Sequence, residues 1–508
     1  MRSNHALAVI LTLVPKAASF VPRPPQALTA STRNLGHSQQ QTKMSAASAS
    51  TAEQTKPKRV TIVGGGPTGA LMALYLSQDR GFEVDVFEAM EESRIAGPTL
   101  RSWNVVLFNR AERALKGAGV DLEEEAGDLV IELKGSYRHH NKQSSEFFVG
   151  SKSICRGDLA KTLLKMAMKR SNINVHFGCS FTNMDTNNRV ATFERASGGS
   201  VDCDYDMLVG ADGVNSRVRG ALEENAPDFT VRQEEDPMTF KTILIPIMAM
   251  EEAKEAWKSF FHVINTKSGC LLAPPRSDGM LTATVVLPGE GPTTFGTLMK
   301  TTQDVKDFFA TNYPTCFGLE GPSDEIAKDF LDRRPQHLQS TYCSRLVHED
   351  VVLLGDAAHS MWASLGQGVN SALEDCEVLA EVLDSAASKK SPSESVDIPA
   401  VLAAYNDRRY EDAIAACSLS EIGMGGARSM RPAFAAQLLL TTLLNKTVGR
   451  FAPETFGPPS LMKISNEEAT YASILRGVKK EARISKGVFF AGVIPLLTIC
   501  ARKIIVKM

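Results

Sequence analysis

The stretch RVTIVGGGPTG, residues 59–69, decides the fold of this chain. After Arg59 come four apolar or β-branched residues, typical of a buried strand, and then glycines that allow a tight turn. An apolar helix pattern follows over 70–76, and a second strand pattern, Glu83–Phe87, ends at Glu88. This order of strand, glycine-rich turn, helix, strand and acid predicts a parallel α/β sheet that binds a dinucleotide. A glycine-rich turn in an unrelated α/β domain is the alternative interpretation.

The dinucleotide contacts expected here are Gly64, Gly66, Pro67, Thr68, Gly69 and Glu88. Gly64 permits the turn, Gly66 lets the backbone approach the pyrophosphate, and Gly69 lets helix and strand pack closely. The start of the helix directs free N–H groups and the positive end of its dipole at the phosphates. Glu88 would accept hydrogen bonds from the ribose and would repel a 2′-phosphate, so the site suits FAD or NAD rather than NADP.

Two later stretches repeat the pattern of a strand that ends in a Gly-Asp turn. In the first, an apolar run leads into Gly210 and then Asp212-Gly213; in the second, an apolar run leads into Gly355-Asp356, and residues 366–370 open another helix. An aspartate at such a strand end can accept a hydrogen bond from a polyol hydroxyl, and a helix start can direct N–H groups at a developing anion. Each stretch taken alone also fits an ordinary strand-turn-helix unit.

The composition limits the class of protein. The chain has 508 residues, is 43% hydrophobic and 22% charged, and carries a formal net charge of −2, so it has material for a large core and two subdomains. This charge balance does not indicate a nucleic-acid surface. The nine cysteines include no CxxC pair and the nine histidines no HxxxH pair, which favours reduced thiols over a metal site or a disulfide framework.

The first 52 residues have the composition of a targeting leader. No acid precedes Glu53, and a short apolar core, Ala6–Val14, is followed by AASF at 17–20 and a hydroxyl-rich stretch. A signal-peptide core in series with a transit-like stretch resembles the bipartite plastid leader of algae with secondary plastids, so we predict a cleaved, disordered leader over 1–52. A mitochondrial presequence, with a mitochondrial membrane as destination, and a plain disordered tail are the alternatives.

The three glycine-marked stretches resemble, in their order and flanking strands, the fingerprints of the class A flavoprotein monooxygenases, over roughly 59–412. The resemblance implies FAD as cofactor, NAD(P)H as electron donor, and O2 and a small molecule as substrates. It implies that Asp212 serves both FAD and the nicotinamide donor, that Asp356 in the Gly355-Asp356 turn binds the ribitol chain, and that Arg156 lies near the adenosine half. A surface cation before a helix is the alternative for Arg156. Stabilisation of negative charge on the reduced flavin is expected from Gly366, Gln367, Gly368, Val369 and Asn370.

Within that family, the segments 101–104, 366–376 and 486–492 resemble those of kynurenine 3-monooxygenases. Two departures accompany the likeness. Ala363 stands where most relatives carry a proline beside the flavin, and Leu133 stands near the position of an arginine that holds the kynurenine carboxylate. Lys134 would replace that arginine only as a point charge, without the bidentate fork.

Candidate substrate residues are therefore Arg101, Lys134 and Trp362. The nearby run Arg138, His139 and His140 is expected to form a solvated loop. No acid–base catalyst is assigned, because nothing in this part of the chain has the spacing for one.

The expected fold is α/β, with a Rossmann-like FAD-binding domain of the GR2/PHBH type formed by 57–228 and 346–420. An inserted antiparallel sheet, 229–345, would cap the flavin and bind the substrate, with a strand over Thr239–Ile247 and a hairpin-like pair around 274–279. The remainder, 421–508, reads as helical and contains an uncharged stretch, 487–501, between basic flanks. We expect this stretch to be a membrane anchor that favours anionic lipid, either lying in the interface or as a short segment that thins the bilayer; a buried core helix is the alternative.

The function expected from these features is FAD-dependent hydroxylation of an aromatic substrate by a kynurenine 3-monooxygenase-like enzyme. Hydroxylation or epoxidation of a plastid isoprenoid, quinone or carotenoid is an alternative that the plastid leader and the missing arginine favour. A flavoprotein without monooxygenase turnover, suggested by Ala363, and an interaction protein with an inactive Rossmann domain are further alternatives.

Overall fold

The computed structural model describes residues 57–78, 80–93, 102–139, 143–247, 254–388, 396–422, 432–447, 449, 451, 460–465 and 468–488. The predicted leader, the substrate candidate Arg101 and His140 lie outside the described residues, as does all of the predicted membrane segment after Val488.

The described strands form four sheets, one of six strands, one of seven and two of three strands. They are β1 (Lys58–Val63), β2 (Phe82–Glu88), β3 (Asn104–Leu107), β4 (Ile131–Glu132), β5 (Ser136–Arg138), β6 (Gln143–Ser145), β7 (Lys152–Cys155), β8 (Ile173–Phe177), β9 (Cys179–Asp185), β10 (Val190–Arg195), β11 (Ser200–Asp204), β12 (Met207–Gly210), β13 (Val231–Pro246), β14 (Phe261–Asn265), β15 (Cys270–Ala273), β16 (Met280–Pro288), β17 (Gln336–Cys343), β18 (Val347–His348) and β19 (Val351–Leu353).

The helices pack around both sheets and form the C-terminal part of the described chain. They are α1 (Pro67–Leu76), α2 (Asn109–Gly117), α3 (Leu122–Ala126), α4 (Arg156–Met168), α5 (Arg217–Asn225), α6 (Lys254–Ser259), α7 (Phe295–Leu298), α8 (Thr302–Asn312), α9 (Pro314–Phe317), α10 (Asp324–Asp332), α11 (Asp356–His359), α12 (Gly368–Ala387), α13 (Ile398–Ile422), α14 (Pro432–Thr447) and α15 (Tyr471–Val488), with 3-10 turns at Gly127–Leu129, Ala363–Leu365 and Ser460–Lys463.

The main sheet has the order β18–β19–β12–β1–β2–β8, and its five longer strands run parallel. Of these strands, β12, β19 and most of β1 are apolar and buried on both faces, which the centre of a parallel sheet requires because helices or a second sheet cover it on each side. Helix α1 is buried nearly all round and packs against α4 and α12 on one face. The meander β9–β10–β11 covers the other face, where the rings of Phe87 and Phe193 stack at 3.7 Å.

The register of the main sheet brings three strand ends side by side. Val63 at the end of β1 is aligned with Gly210 at the end of β12, and Gly210 with Leu353 at the end of β19. Because parallel strands point the same way, the turns that follow these residues share one edge of the sheet. The predicted α/β fold class is confirmed.

A seven-stranded, mainly antiparallel sheet has the order β17–β13–β16–β15–β14–β5–β6. The predicted strand over 239–247 is part of β13, and the predicted pair around 274–279 is the antiparallel pair β15 and β16. Strands β5 and β6 precede residue 229, so the sheet draws two strands from the range 57–228; β5 joins it through parallel pairing with β14. Helices α8 and α10 pack on its outer face over an apolar core.

The described C-terminal helices pack against the parallel-sheet unit. Helix α13 packs along α12, and α15 packs along α13 through a cluster that includes Leu419, Tyr471 and Leu475. Within the described ranges, no helix is both long enough and apolar enough to cross a membrane.

Candidate active site

The three predicted turns meet at the edge of the main sheet. A Cβ atom on Gly64 would lie 2.5 Å from the carbonyl oxygen of Ala211, so the first and second turns are in backbone contact. A Cβ atom on Gly355 would lie 3.0 Å from the hydroxyl oxygen of Thr68, so the third turn touches the start of α1. Residues more than a hundred positions apart in the chain therefore form one crevice.

The glycine-rich turn has the geometry that a pyrophosphate requires. Gly64 adopts a φ of +104°, and a Cβ atom on Gly69 would lie 1.9 Å from the carbonyl oxygen of Gly64, so neither position accepts a side chain. A Cβ atom on Gly66 would meet nothing within 4 Å, which leaves the backbone open there. Helix α1 begins with Pro67 and no side chain in the described part of the chain caps it, so its first N–H groups remain available to an anion.

Glu88 is fixed in place by the backbone. One of its carboxylate oxygens accepts a hydrogen bond from the N–H of Gly65 at 2.7 Å, and the other from the N–H of Met90 at 2.8 Å. Each carboxylate oxygen has a second lone pair, so the buried side chain can still accept hydrogen bonds from a ribose.

The second turn carries a buried acceptor without a donor. The Oδ2 atom of Asp212 accepts hydrogen bonds from the N–H groups of Arg217 and Val218 at the start of α5. Its Oδ1 atom is buried and has no hydrogen-bond partner among the described residues. The guanidinium of Arg219 donates to the carbonyl oxygens of Val214 and Ala357, and thereby joins the second turn to the third.

Asp356 also presents an unused carboxylate. It is half-buried, and no donor in the described part of the chain reaches its oxygens. Burial raises the pKa of Asp356, although the charges of Arg156 and His359 act in the opposite direction. Arg156 thus lies near Asp356, with its guanidinium 5.7 Å from the centre of the Trp103 ring. A carboxylate in this state can accept hydrogen bonds from polyol hydroxyls, as the ribityl chain of FAD would provide.

Residues 366–370, here termed the flavin loop, lead into α12. Gly366 adopts a left-handed φ of +63°, and none of the described side chains caps the start of α12, where Gly368 and half-buried Val369 lie. Asn370 is buried, accepts a hydrogen bond from the N–H of Phe108 at 2.7 Å and donates to the carbonyl oxygen of Val106 at 2.9 Å. The loop is therefore held against β3, and the start of α12 favours negative charge in front of it.

A buried charge network supports the third turn, and the sequence did not reveal it. Asp375 accepts hydrogen bonds from the N–H of Gly355, from Nε2 of His359 and from Nε of Arg409, each at 2.7 Å. Burial alone would raise the pKa of Asp375, but the charges of His359 and Arg409 hold it below its usual value. Glu374 joins the same network through ion pairs with Arg409 and Arg110. In the sequence, the signal that could have indicated this network is the run of acids that falls on the buried face of an apolar helix.

The C-terminal helix α15 contacts the flavin loop directly, which sequence reasoning also missed. The hydroxyl of Tyr471 donates a hydrogen bond to Oε1 of the buried Gln367 at 2.9 Å. The guanidinium of Arg110 lies 4.4 Å from the centre of the Tyr471 ring. The flavin loop is thus held by β3 on one side and by α15 on the other.

Stacked rings extend from the flavin loop to the antiparallel sheet. The rings of Phe108 and Phe148 stack at 5.7 Å, and those of Phe148 and Phe261 at 4.6 Å. Leu133 is buried in the same cluster, and we call these four residues the aromatic wall. Phe148 adopts a φ of +81°, which is strained for a residue with a side chain and is typical of functional positions.

The two predicted substrate residues that the structure describes differ in their exposure to solvent. Lys134 is exposed, and its backbone N–H donates a hydrogen bond to the backbone carbonyl oxygen of Ser259. Trp362 is buried, with its indole N–H donating to the carbonyl oxygen of Glu234 at 3.3 Å, while the neighbouring Ala363 is exposed.

The expectation of a solvated loop at 138–140 is wrong for the two residues that the structure describes. Arg138 is buried at the end of β5, and burial lowers the pKa of the half-buried His139 to about 4. The reason is tertiary: β5 pairs with β14, which lies more than a hundred residues later in the chain.

Comparisons with known proteins agree with this geometry. A family model described as FAD binding domain matches residues 58–413. The kynurenine 3-monooxygenase of Salinispora arenicola is 30% identical over 444 residues, which cover 84% of this chain and 92% of the relative. That of Sus scrofa is 28% identical over 448 residues, which cover 86% of this chain and 90% of the relative.

Solved structures share the fold. A 2-methyl-3-hydroxypyridine-5-carboxylic acid oxygenase matches 83% of this chain and 99% of its own, with a TM-score of 0.58 and 19% identity. Klebsiella pneumoniae HpxO, complexed with FAD and uric acid, matches 79% of this chain and 96% of its own, with a TM-score of 0.55 and 20% identity. The predicted PHBH-type fold is confirmed, and the match to the FAD family over most of the chain confirms the predicted cofactor. The chain therefore belongs to the FAD-binding family of aromatic-hydroxylase type, and it is an FAD-dependent monooxygenase similar to kynurenine 3-monooxygenases.

Proposed function

We propose that this enzyme uses NAD(P)H and O2 to hydroxylate an aromatic, kynurenine-like substrate. The observation that carries the proposal is the aromatic wall, which starts at Phe108, a residue hydrogen-bonded to Asn370 of the flavin loop. Stacked rings offer an aromatic substrate an apolar surface of matching geometry beside the flavin. The identity to kynurenine 3-monooxygenases over most of the chain supports the same class of reaction.

In this proposal the chain binds and orients the cofactor. The start of α1 holds the pyrophosphate, Glu88 the ribose of the adenosine half, and Asp356 the ribityl hydroxyls. Asp212 contributes its Oδ1 atom, which accepts no hydrogen bond from the described residues, and Arg156 contributes a positive charge near Asp356. When bound, FAD supplies electron transfer from NAD(P)H and the activation of O2.

The other residues of the site position the reactants and exclude water. The uncapped start of α12 favours negative charge beside the flavin loop. Trp362, which is buried and hydrogen-bonded to the carbonyl oxygen of Glu234 in β13, would in this proposal help to exclude water next to the flavin loop. The aromatic wall contributes no charge, so it binds the ring of a substrate and leaves any ionised group to be recognised elsewhere.

A second candidate is favoured by one observation. Leu133 makes the aromatic wall uncharged at the position near which kynurenine-hydroxylating relatives are expected to carry arginine. An uncharged wall also suits a plastid isoprenoid, quinone or carotenoid, which would be hydroxylated or epoxidised with the same cofactor.

The test uses purified holoprotein without residues 1–52. NADH and NADPH oxidation and O2 consumption are followed with kynurenine, other aromatic acids, a prenylated quinol and a carotenoid, and products are identified by mass spectrometry. The proposal expects an aromatic substrate to stimulate both rates and to gain one oxygen atom. Turnover of the quinol or carotenoid alone would establish the second candidate, and an enzyme that oxygenates none of them would refute both.

We further propose that residues 1–52 direct the protein to a plastid, with a mitochondrial membrane as the alternative, and that 487–501 holds it on a membrane surface. Both proposals rest on composition: an acid-free leader, and an uncharged stretch between basic flanks. Fusing 1–52 to a fluorescent protein tests the destination. Co-sedimentation of full-length and 1–486 proteins with anionic vesicles tests the membrane contact, which only the full-length protein should make.

A further inference from the structure

Arg138 lies on the face of the antiparallel sheet that carries the aromatic wall. In the parallel pairing of β5 with β14, Ser136 is aligned with Phe261 and Arg138 with Val263. Aligned residues of paired strands project to the same face, so Arg138 shares a face with Phe261. Tyr137 and His262 occupy the opposite face, where their rings lie 6.2 Å apart.

Arg138 is buried without a counter-charge. Its relative exposure is 8%, yet no acid and no other hydrogen-bond acceptor partners its guanidinium among the described residues. Burial lowers the pKa of Arg138, and no neighbouring charge contributes to that shift. A buried guanidinium is costly unless an anion or several acceptors replace the water that it loses.

The other buried arginines of the described chain all have partners. Arg110 and Arg409 pair with Glu374, and Arg276 pairs with Asp278. Arg219 donates to two carbonyl oxygens. The fold therefore satisfies buried guanidinium groups as a rule, and Arg138 is the exception.

The position of Arg138 relative to the wall indicates what would pair with it. Val263, the partner of Arg138, lies two residues beyond Phe261 along β14, a separation of roughly 7 Å at the usual rise of a strand. That distance is comparable to the span from an aromatic ring to a carboxylate on a short side chain. Leu133 carries no charge and Lys134 is exposed, so neither competes for this role.

We infer that Arg138 binds the carboxylate of the substrate while the substrate ring lies on the aromatic wall. The inference rests on the proposed function, and it commits that function to an anionic aromatic substrate. A guanidinium can hold a carboxylate through two parallel hydrogen bonds, which fixes orientation as well as affinity. The carboxylate clamp is then supplied by β5 rather than by position 133.

The experiment measures binding to the oxidised holoenzyme, which requires no turnover. Perturbation of the flavin absorbance is titrated with pairs that differ only in the charged group: kynurenine against kynurenamine, anthranilate against anthranilamide, and 4-hydroxybenzoate against 4-hydroxybenzamide. The variants are Arg138→Gln and Arg138→Lys, and the matched control is Lys134→Gln, a cation four residues away that is exposed. Flavin content and melting temperature establish that each variant is folded.

The wild type and Lys134→Gln should bind at least one carboxylate about 10- to 100-fold more tightly than its neutral partner. Arg138→Gln should lose that preference while its affinity for the neutral partner stays unchanged, and Arg138→Lys should retain part of it. A preference that survives in Arg138→Gln, a wild type that prefers the neutral partners, or a wild type that binds none of the carboxylates would overturn the inference.

Failure of the proposed function gives a different result. Reduction of the wild-type flavin by NAD(P)H and its reoxidation by O2 are measured with each probe present, and failure of flavin reduction with every probe would refute the monooxygenase proposal whatever the binding preference.

Discussion

The cofactor edge and the aromatic wall are built in opposite ways. The cofactor edge consists of backbone turns at Gly64, Gly210 and Gly355, each generated by a local strand-turn-helix motif. The wall consists of side chains from β14 and from segments around residues 108, 133 and 148, and no local motif marks them. A cofactor common to many reactions is bound by geometry that the backbone provides, whereas an individual substrate is recognised by side chains that can vary without changing the fold.

The largest effect is expected at the charge network beneath the cofactor edge. Asp375→Asn removes the buried carboxylate that bonds both His359 and Arg409, and leaves Arg409 with Glu374 and Asp412, so we expect a loss of about 3 kcal/mol in the free energy of unfolding, together with loss of FAD. Chemical denaturation and flavin content measure this. Glu411→Gln, at an exposed ion pair with Arg476, is the control and should change little.

The same variant tests the pH dependence of stability. Because the folded pKa of Asp375 is lowered, its contribution is fully present above its unfolded pKa, near 4, and is lost as the pH falls through the lower folded value. The stability of the wild type should therefore fall steeply below about pH 4, and that of Asp375→Asn less steeply. Equal acid dependence in the two proteins would contradict the assigned charges.

The next effect is expected from a single methyl group at the cofactor edge. Gly69→Ala places a Cβ atom 1.9 Å from the carbonyl oxygen of Gly64, so the turn must shift; we expect a loss of about 2 kcal/mol and a weakly flavinated protein. Gly220→Ala adds the same group in α5 with nothing within 4 Å, and should be neutral or slightly stabilising. Similar behaviour of both variants would refute the close packing of helix and strand.

A change in the wall should separate substrate recognition from cofactor binding. Phe148→Ala removes the ring between Phe108 and Phe261, so we expect about 10-fold weaker substrate binding, a loss of about 1 kcal/mol in stability and full FAD content. Val149→Ala, at the exposed neighbouring residue, is the control. If Phe148→Ala loses FAD, the wall is part of the cofactor site and the contrast between the two regions fails.

The smallest effect is expected where α15 contacts the flavin loop. Tyr471→Phe removes one buried hydrogen bond to Gln367, so we expect a loss of about 1 kcal/mol and a small change in the rate of flavin reduction. Tyr405→Phe removes a buried hydroxyl that has no hydrogen-bond partner among the described residues, and should be neutral or stabilising. Calorimetry of both proteins distinguishes the two cases.

The cofactor edge could be predicted from the sequence because its signals are local. A β-branched run, glycines at fixed spacing and an apolar helix specify a strand-turn-helix unit, and parallel strands must end at a common edge. The resemblance to flavoprotein monooxygenases added the order of the three turns, and it supplied the cofactor that the family match supports.

Tertiary structure alone decided which side chains are buried and with whom. Leu133, Lys134 and Arg138 lie within six residues of one another, yet the first is in the aromatic wall, the second is exposed and the third is buried with no counter-charge from the described residues. The burial of these three side chains depends on the pairing of β5 with β14 and on the stacking of rings that are far apart in the sequence. Such long-range packing sets which side chains are buried. The sequence by itself determined the cradle for FAD, whereas the surface that selects a substrate exists only after remote strands have paired.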